Sequence, residues 1–179
     1  MLEKKKALRK IIKVRVSAIS ANERRKREEI LHNNLFSMPE FLDAKSVMLF
    51  ANLPDEIDTF SLIDKCISMG KKVFLPVING DDMTACEFTG EYRLGRYDIK
   101  EPVTPHSSLL TPNSIDFILV PGVAFSPNGY RLGRGKGYYD KFLSKYSNLF
   151  TVGVCFREQF YLDIPTEPHD IPMHKVIVC

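Results

Sequence analysis

Residues 115–140 read IDFILV PGVAFSPNGY RLGRGKGYYD. Five of the first six residues are apolar, with Asp116 as the exception, and this stretch of strand length predicts a buried central strand over residues 115–120. A glycine-rich loop follows, and apolar residues at helical spacing then predict a helix over residues 138–146. A buried strand that leads through such a loop into a helix is typical of α/β folds, in which ligands bind beyond the carboxyl ends of the strands.

Strands and helices alternate along the rest of the chain. Apolar runs predict further strands at residues 46–51, 72–77, 82–88, 150–156 and 175–179. Helical spacing predicts helices at residues 2–16, 20–36 and 59–69. The second helix opens on the capping box S-x-x-E at Ser20, and Gly70 ends the third. Residues 94–111 contain Pro102 and Pro105 and are followed by Pro112, which predicts a loop with room for one short helix.

This alternation predicts the fold class. It favours a mainly parallel central sheet covered by helices on both faces, a three-layer α/β/α arrangement. The fold is Rossmann-like without a dinucleotide fingerprint, because the loop spaces its glycines G-x-G-x-G rather than G-x-G-x-x-G. The sequence has no repeat, low-complexity tract or flexible linker, so we expect one domain over residues 1–179.

Composition excludes several classes of protein. With 44% hydrophobic and 26% charged residues, the chain of 179 residues is not expected to be disordered, collagen-like or membrane-spanning. The net charge of +3 is too small to favour nucleic acid as a partner. Basic residues crowd the first fifteen positions without the apolar segment of a signal peptide, which favours the cytoplasm. The four cysteines lack C-x-x-C spacing, which favours reduced thiols.

The glycine-rich loop has the features of an anion site. Its glycines let the backbone approach a ligand closely, and the following helix directs unsatisfied N–H groups toward the loop. Glycines and cations are interspersed here, at Arg131, Gly133, Arg134, Gly135, Lys136 and Gly137. The loop is not a Walker A motif, because glycine rather than serine or threonine follows Lys136. On spacing alone, a flexible surface turn with solvated bases is the alternative.

The sequence resembles the 5-formyltetrahydrofolate cyclo-ligase family, also called 5,10-methenyltetrahydrofolate synthetases. The resemblance is carried by VPGVAF at residues 120–125 and GYRLGRGKGYYD at residues 129–140. Three short stretches follow the order of the family, at residues 5–9 (K-x-x-x-R), 55–59 (DEIDT) and 167–170 (EPHD). The chain departs from the family at Ser126, where an acidic residue is common.

The resemblance implies an activity. Members cyclise 5-formyltetrahydrofolate to 5,10-methenyltetrahydrofolate with ATP and Mg²⁺, releasing ADP and phosphate through a phosphorylated formyl group, an iminium phosphate. Such chemistry needs positioning and charge stabilisation more than a protein nucleophile. The implied partner is a small folate, polyglutamylated or not, rather than a nucleic acid or a membrane. A monomer or weak homodimer is expected.

The resemblance also implies roles for individual residues. The catalytic residues are Arg131, Arg134 and Lys136. These three residues are expected to contact the nucleotide, together with Lys5, Arg9, Leu132, Gly133, Gly135, Gly137, Tyr138 and Tyr139. The residues expected to contact folate are Ala51, Glu56, Arg134, Gly135, Lys136, Gly137 and Tyr138. Among them, Glu56 is expected to face the N–H edge of the pterin. Because Mg²⁺ prefers oxygen ligands, Asp140 in the first turn of the predicted helix is the leading candidate ligand for magnesium, and Asp170 is the second.

Several of these residues have a plainer interpretation. Lys5 and Arg9 are also explained by a solvated basic helix, and Asp140 by an ordinary acid in a first helical turn. Glu56 is also explained by the entry to the helix that begins near Thr59. Asp170 has a rival interpretation as part of a zinc site with the neighbouring histidines His169 and His174. Two other functions also fit, a nucleotide- or phosphosugar-binding module and a nucleic-acid binder that uses the first helix.

Overall fold

The computed structural model describes residues 1–95, 99–103, 115–146 and 149–179. Its strands are β1 Ser46–Met48, β2 Lys72–Asn79, β3 Asp82–Glu87, β4 Tyr92–Leu94, β5 Lys100–Pro102, β6 Phe117–Val120, β7 Ala124–Phe125, β8 Arg131–Leu132, β9 Phe150–Cys155 and β10 Lys175–Val178. Its helices are α1 Leu2–Ser17, α2 Ala21–Phe36, α3 Pro39–Asp43, α4 Phe60–Ser68 and α5 Tyr138–Ser144, with a short 3₁₀ helix at Arg157–Gln159.

A six-stranded sheet has the strand order β10-β9-β6-β1-β2-β3. Neighbouring strands run parallel from β10 to β2, and only β3 is antiparallel to its neighbour. The predicted strand at 115–120 becomes β6 and lies in the interior of the sheet, with all four residues buried. The prediction of a mainly parallel sheet is confirmed.

Helices cover both faces of this sheet. Alternate residues of β6 point to opposite faces, as the two-residue period of a strand requires. Phe117 and Leu119 pack in one apolar cluster with residues of α1, α2, α3 and α4. Ile118 and Val120 pack in a second cluster with Phe142 of α5. The three-layer α/β/α prediction is therefore confirmed.

The structure differs from the predicted elements in the segment that was expected to be a loop. Residues 100–102 of that segment form β5, which pairs antiparallel with β4. Residues 96–98 and 104–111 lie outside the described residues. This hairpin could not be predicted from the sequence, because each of its strands has only three residues and no apolar alternation. The first predicted strand is also shorter than expected, since β1 ends at Met48.

Within the described ranges, none of the helices is long and apolar enough to cross a membrane. No disulfide joins the cysteines in this part of the chain. Burial raises the pKa of the Cys66 thiol to about 11, so this side chain stays protonated at neutral pH.

Asp116 links the starts of β1 and β6. Its Oδ2 accepts hydrogen bonds from the backbone N–H groups of Lys45 and Ser46 at 2.9 and 3.0 Å, and from the Ser46 hydroxyl at 2.9 Å. Burial opposes the charge, but these hydrogen bonds outweigh it and hold the pKa of Asp116 below its ordinary value. The carboxylate thus stabilises the register between two central strands.

Replacing Asp116 with alanine is expected to lower the free energy of unfolding by about 1 kcal/mol at pH 7, because three hydrogen bonds to a partly solvated carboxylate are lost. The folded-state pKa is depressed, so this stabilisation is present above the unfolded pKa of about 3.9 and is lost as the pH falls through the folded value. Urea denaturation at several pH values measures the difference. The exposed Asp163→Ala variant is the control, and an equal loss in both variants would contradict this role.

Candidate active site

A short antiparallel ladder precedes the glycine-rich loop, residues 133–137. Strand β7 pairs with β8, so that Ala124 lies opposite Leu132 and Phe125 opposite Arg131. The backbone N–H of Ser126 donates to the carbonyl of Tyr130 at 2.9 Å within the turn between these strands. Ser126, the departure from the family pattern, therefore holds the turn through its backbone.

Two glycines of the loop adopt backbone conformations that other residues rarely take. Gly135 has a φ of +106° and Gly137 a φ of +69°, and Gly137 is the N-cap of α5. Residues 134–137 are exposed, so the backbone of the loop is accessible to a ligand.

A cavity of about 410 Å³ lies beside the loop. Residues that directly follow β1 and β6 line it, as expected for a parallel sheet whose ligands bind beyond the carboxyl ends of the strands. Much of its wall is apolar, from Phe50, Leu53, Pro76, Ile78, Met83, Ile99 and Pro121. Charged groups line the cavity at Glu56, Glu101, Arg131, Arg134, Lys136 and Asp140. Apolar walls with a few polar groups suit a flat heteroaromatic ligand.

Glu56 and Arg134 meet in the wall of this cavity. Oε1 of Glu56 accepts from Nε and Nη2 of Arg134 at 3.2 and 3.0 Å, and Asp55 accepts from Nη2 at 2.6 Å. Oε2 of Glu56 accepts from the backbone N–H of Leu53 at 2.9 Å. Burial opposes the charge of Arg134, but the two acids outweigh it and raise the pKa of Arg134. Glu56 is thus held in place, and its two oxygens have the capacity for further hydrogen bonds.

A different acid occupies the entry to α4. Oδ1 of Asp58 accepts from the backbone N–H of Phe60 at 3.1 Å, and Oδ2 accepts from the Ser61 hydroxyl at 2.6 Å. Asp58, the residue before the N-cap Thr59, therefore binds the first turn of the helix, whereas Glu56 lines the cavity. The position of Glu56 is therefore not explained by the entry to α4.

Arg131 and Tyr139 bring incompletely bonded polar atoms to the same cavity. The Arg131 side chain is 4% exposed, and its Nη1 donates to Asp140 at 2.9 Å. Its Nε and the hydroxyl of Tyr139 are buried without a hydrogen-bond partner in the described structure. Burial lowers the pKa of Arg131 and raises the pKa of Tyr139, so the phenol stays a neutral donor. Because buried donors are normally hydrogen-bonded, these two groups are suited to donate to acceptor atoms of a ligand.

Helix α1 lies against the loop and the segment 167–170. Nζ of Lys5 donates to Glu167 at 2.7 Å and to Asp170 at 3.1 Å, and Nε of Arg9 donates to the carbonyl of Gly133 at 2.8 Å. Burial opposes the charge of Lys5, but its two hydrogen bonds raise the pKa of Lys5. A smaller cleft of about 150 Å³ lies between α1 and the loop and is lined by Arg9, Lys13 and Arg134, among others. Lys5 and Arg9 are therefore not simply solvated.

The comparison with known families agrees with this geometry. Residues 1–179 match the model of the 5-formyltetrahydrofolate cyclo-ligase family. The chain belongs to this family. Its members are enzymes, and solved methenyltetrahydrofolate synthetases share the fold of this chain.

Individual relatives support the assignment to the cyclo-ligases. A Caenorhabditis elegans protein named "Probable 5-formyltetrahydrofolate cyclo-ligase" is 32% identical and is aligned over 98% of this chain and 92% of its own. A mouse 5-formyltetrahydrofolate cyclo-ligase is 29% identical and is aligned over 97% of this chain and 92% of its own. The structure of Aquifex aeolicus 5,10-methenyltetrahydrofolate synthetase superimposes with a TM-score of 0.86 at 34% identity, covering 97% of this chain and 89% of that one.

The two acids predicted as metal ligands of the cyclo-ligase lie near one another. The backbone N–H of Ile171, the residue after Asp170, donates to Oδ1 of Asp140 at 3.4 Å. Oδ2 of Asp170 accepts from Lys5 and from the backbone N–H of Glu167. The described residues contain no cluster of three or more acids, histidines or cysteines suited to a metal, and His174 hydrogen-bonds to Thr151 at 2.8 Å. The zinc interpretation therefore gains no support.

The structure brings together most of the residues predicted to contact folate. The cavity is lined by Ala51, Glu56, Arg134, Lys136, Gly137 and Tyr138, but not by Gly135. Among the predicted nucleotide residues, Leu132 packs its side chain in the core, so it can contact a ligand only through its backbone. Sequence reasoning missed the apolar walls and Glu101. Alternation along β2 points to Pro76 and Ile78, whereas Ile99 and Glu101 lie in the segment predicted as a loop.

Proposed function

We propose that residues 1–179 act as one domain that converts 5-formyltetrahydrofolate to 5,10-methenyltetrahydrofolate, consuming ATP with Mg²⁺ and releasing ADP and phosphate. The observation that carries this proposal is the cavity beside the loop, where the Glu56 carboxylate pairs with Arg134 and Lys136 lines the same wall. A folate and a polyphosphate could meet at this point. Family membership supports the choice of substrate.

The folate would lie in the larger cavity. The N3–H and 2-amino groups of the pterin are two parallel donors, which one carboxylate can accept together, and Glu56 is the carboxylate that we assign to them. The apolar walls, including Pro76, Ile78 and Met83, would contact the ring system. Polyglutamylated and monoglutamyl folates share this part of the molecule, so both are candidate substrates.

The nucleotide would lie along the loop. Backbone N–H groups of residues 133–137, together with Lys136 and Arg134, would bind the triphosphate, and the cleft beside Arg9 continues this site toward α1. The buried Nε of Arg131 offers a further donor. ATP supplies a phosphoryl group to the formyl oxygen, and N10 of the folate then attacks the formyl carbon of the resulting iminium phosphate as phosphate leaves. Arg131, Arg134 and Lys136 would stabilise the charge on the transferred group.

Magnesium would be held by Asp140 and Asp170. Mg²⁺ prefers oxygen ligands and usually takes one or two protein carboxylates, with phosphates and water completing the set. The proximity of these two acids fits such a site. The ion would supply charge neutralisation on the phosphates, while Arg131 orients Asp140 through their ion pair.

The setting of this activity follows from the same proposal. The partner would be a small molecule, and no nucleic acid or membrane is required. We place the protein in the cytoplasm and expect a monomer or a weak homodimer.

A spectrophotometric assay for methenyltetrahydrofolate tests the proposed function. We expect absorbance of the product to rise when 5-formyltetrahydrofolate, ATP and Mg²⁺ are all present. Omission of ATP or of Mg²⁺ is expected to abolish the rise. Product formation that is independent of ATP, or no product under complete conditions, would refute the proposal.

A further inference from the structure

Glu101 places a buried carboxylate in the wall of the larger cavity, at a distance in sequence from every motif discussed above. It lies on β5, and its side chain is 6% exposed. An ideal Cβ at Gly95 would lie 2.1 Å from Cδ of Glu101, so the backbone of the hairpin packs directly against this side chain. Close packing fixes the position of the carboxylate.

The protein leaves this carboxylate incompletely bonded. In the described structure Oε1 accepts from the backbone N–H of Ile78 at 3.4 Å, and Oε2 lies 3.5 Å from Nη2 of Arg93. Both distances are at the outer limit of a hydrogen bond, and the Arg93 side chain is 60% exposed. Burial of a carboxylate costs free energy unless partners compensate it, and a carboxylate has about four acceptor positions. A ligand in the cavity can fill the remaining positions.

Glu101 differs in this respect from the other acids of the cavity. Among the described residues that line it, Glu56 is engaged by Arg134 and by the backbone of Leu53, and Asp140 is paired with Arg131. Lys100, the neighbour of Glu101, lies over the ring of Phe60 at 4.7 Å. Glu101 is thus the cavity acid without a short contact to a cation.

The proposed reaction requires a proton acceptor. N10 of the substrate carries a hydrogen, whereas N10 of the methenyl product carries none. Attack by the N10 lone pair forms the N10–C bond, the N10–H proton must leave, and the C–O bond to phosphate breaks with its electron pair departing on phosphate. The side chains assigned above to the transferred phosphoryl group, Arg131, Arg134 and Lys136, are hydrogen-bond donors and cannot accept this proton.

We propose that the Glu101 carboxylate contacts N10 and accepts its proton during ring closure. This inference rests on the proposed function and adds a general base to it. Glu101 then acts in the second half of the reaction and has no part in phosphoryl transfer. Removal of a general base commonly costs about 10²–10⁴ in rate.

The Glu101→Gln variant tests the inference, because it preserves shape and removes the base. We expect turnover to fall about 10²–10⁴-fold, while KM for ATP and folate changes less than about threefold. ATP labelled with ¹⁸O in the β–γ bridge separates the two halves of the reaction. Reversible phosphoryl transfer is expected to scramble this label in the variant as fast as in the wild type.

Two further variants guard against a purely structural effect. Turnover of Glu101→Ala is expected to rise when formate is added, since a small carboxylate can replace the missing base. Glu91→Gln changes an exposed acid beside the same hairpin and is expected to behave as the wild type.

Normal turnover in Glu101→Gln, or loss of label scrambling in parallel with turnover, would overturn the assignment, as would the absence of rescue by formate. These outcomes leave the proposed function intact if the wild-type protein still forms the product. Failure of the wild-type assay would instead refute the proposed function itself.

Discussion

Replacing Lys136 with alanine is expected to lower turnover about 10³-fold, because cations that bind a transferring phosphoryl group commonly contribute this much. Lys136 is exposed and lines the cavity, and in the described part of the chain its ammonium has no ion-pair partner. Its charge is therefore available to a phosphate, and its removal leaves the packed structure unchanged. Steady-state assays measure turnover, and urea denaturation checks that stability is retained.

Arg134→Ala is expected to show a comparable loss of turnover, although this residue also holds Asp55 and Glu56. Lys141→Ala provides a matched control, since Lys141 is an exposed lysine on the adjoining helix. Near-normal turnover in both Lys136→Ala and Arg134→Ala would contradict the roles assigned to the loop.

Replacing Glu56 with glutamine is expected to lower kcat/KM for 5-formyltetrahydrofolate about 10²–10³-fold while ATP binding changes less than about threefold. The amide replaces one acceptor with a donor, which then faces a donor edge of the pterin, and an unmatched buried polar group is strongly disfavoured. Steady-state kinetics give the first value, and titration with a non-hydrolysable ATP analogue gives the second.

Asp55→Asn is the matched control for Glu56→Gln. Both acids contact Nη2 of Arg134, at 2.6 Å for Asp55 and 3.0 Å for Glu56, but Glu56 is the one that lines the larger cavity. A smaller loss in Asp55→Asn isolates the contribution of the pterin contact. Equal kcat/KM for 5-formyltetrahydrofolate in Glu56→Gln and the wild type would instead contradict the assignment of Glu56 to the pterin.

The sheet was predictable because its central strands are read from local sequence. The apolar run that became β6 is buried on both faces, and such runs identify interior strands of parallel sheets. Strand β5 contains lysine, glutamate and proline, and it forms because β4 lies opposite with matching backbone groups. No short-range pattern encodes that pairing.

The glycine-rich loop was also predictable, whereas the burial and the ion-pair partners of the predicted phosphate-binding cations were not. Arg131 was predicted to bind phosphate together with Arg134 and Lys136. In the structure β8 pairs with β7, and the Arg131 side chain is buried beside Asp140. Lys5 was expected to face phosphates directly, and the structure pairs it with Glu167 and Asp170, more than 160 positions away along the chain. Contacts at such separations arise only when the whole chain is folded.

The walls of the cavity illustrate the same limit. Pro76, Met83 and Ile99 come from three different strands or connections, and none belongs to a motif. Each residue alone resembles an ordinary core position. Their common role appears once the sheet and the hairpin place them around one space.

The structure of the protein with a non-hydrolysable ATP analogue, Mg²⁺ and 5-formyltetrahydrofolate gives the most direct test of the central claim. We predict that the terminal phosphates contact Lys136 and the backbone N–H groups of residues 133–137. The γ-phosphorus should lie about 3–3.5 Å from the formyl oxygen, as an in-line transfer requires. A triphosphate bound elsewhere, with this loop facing bulk solvent, would contradict the claim.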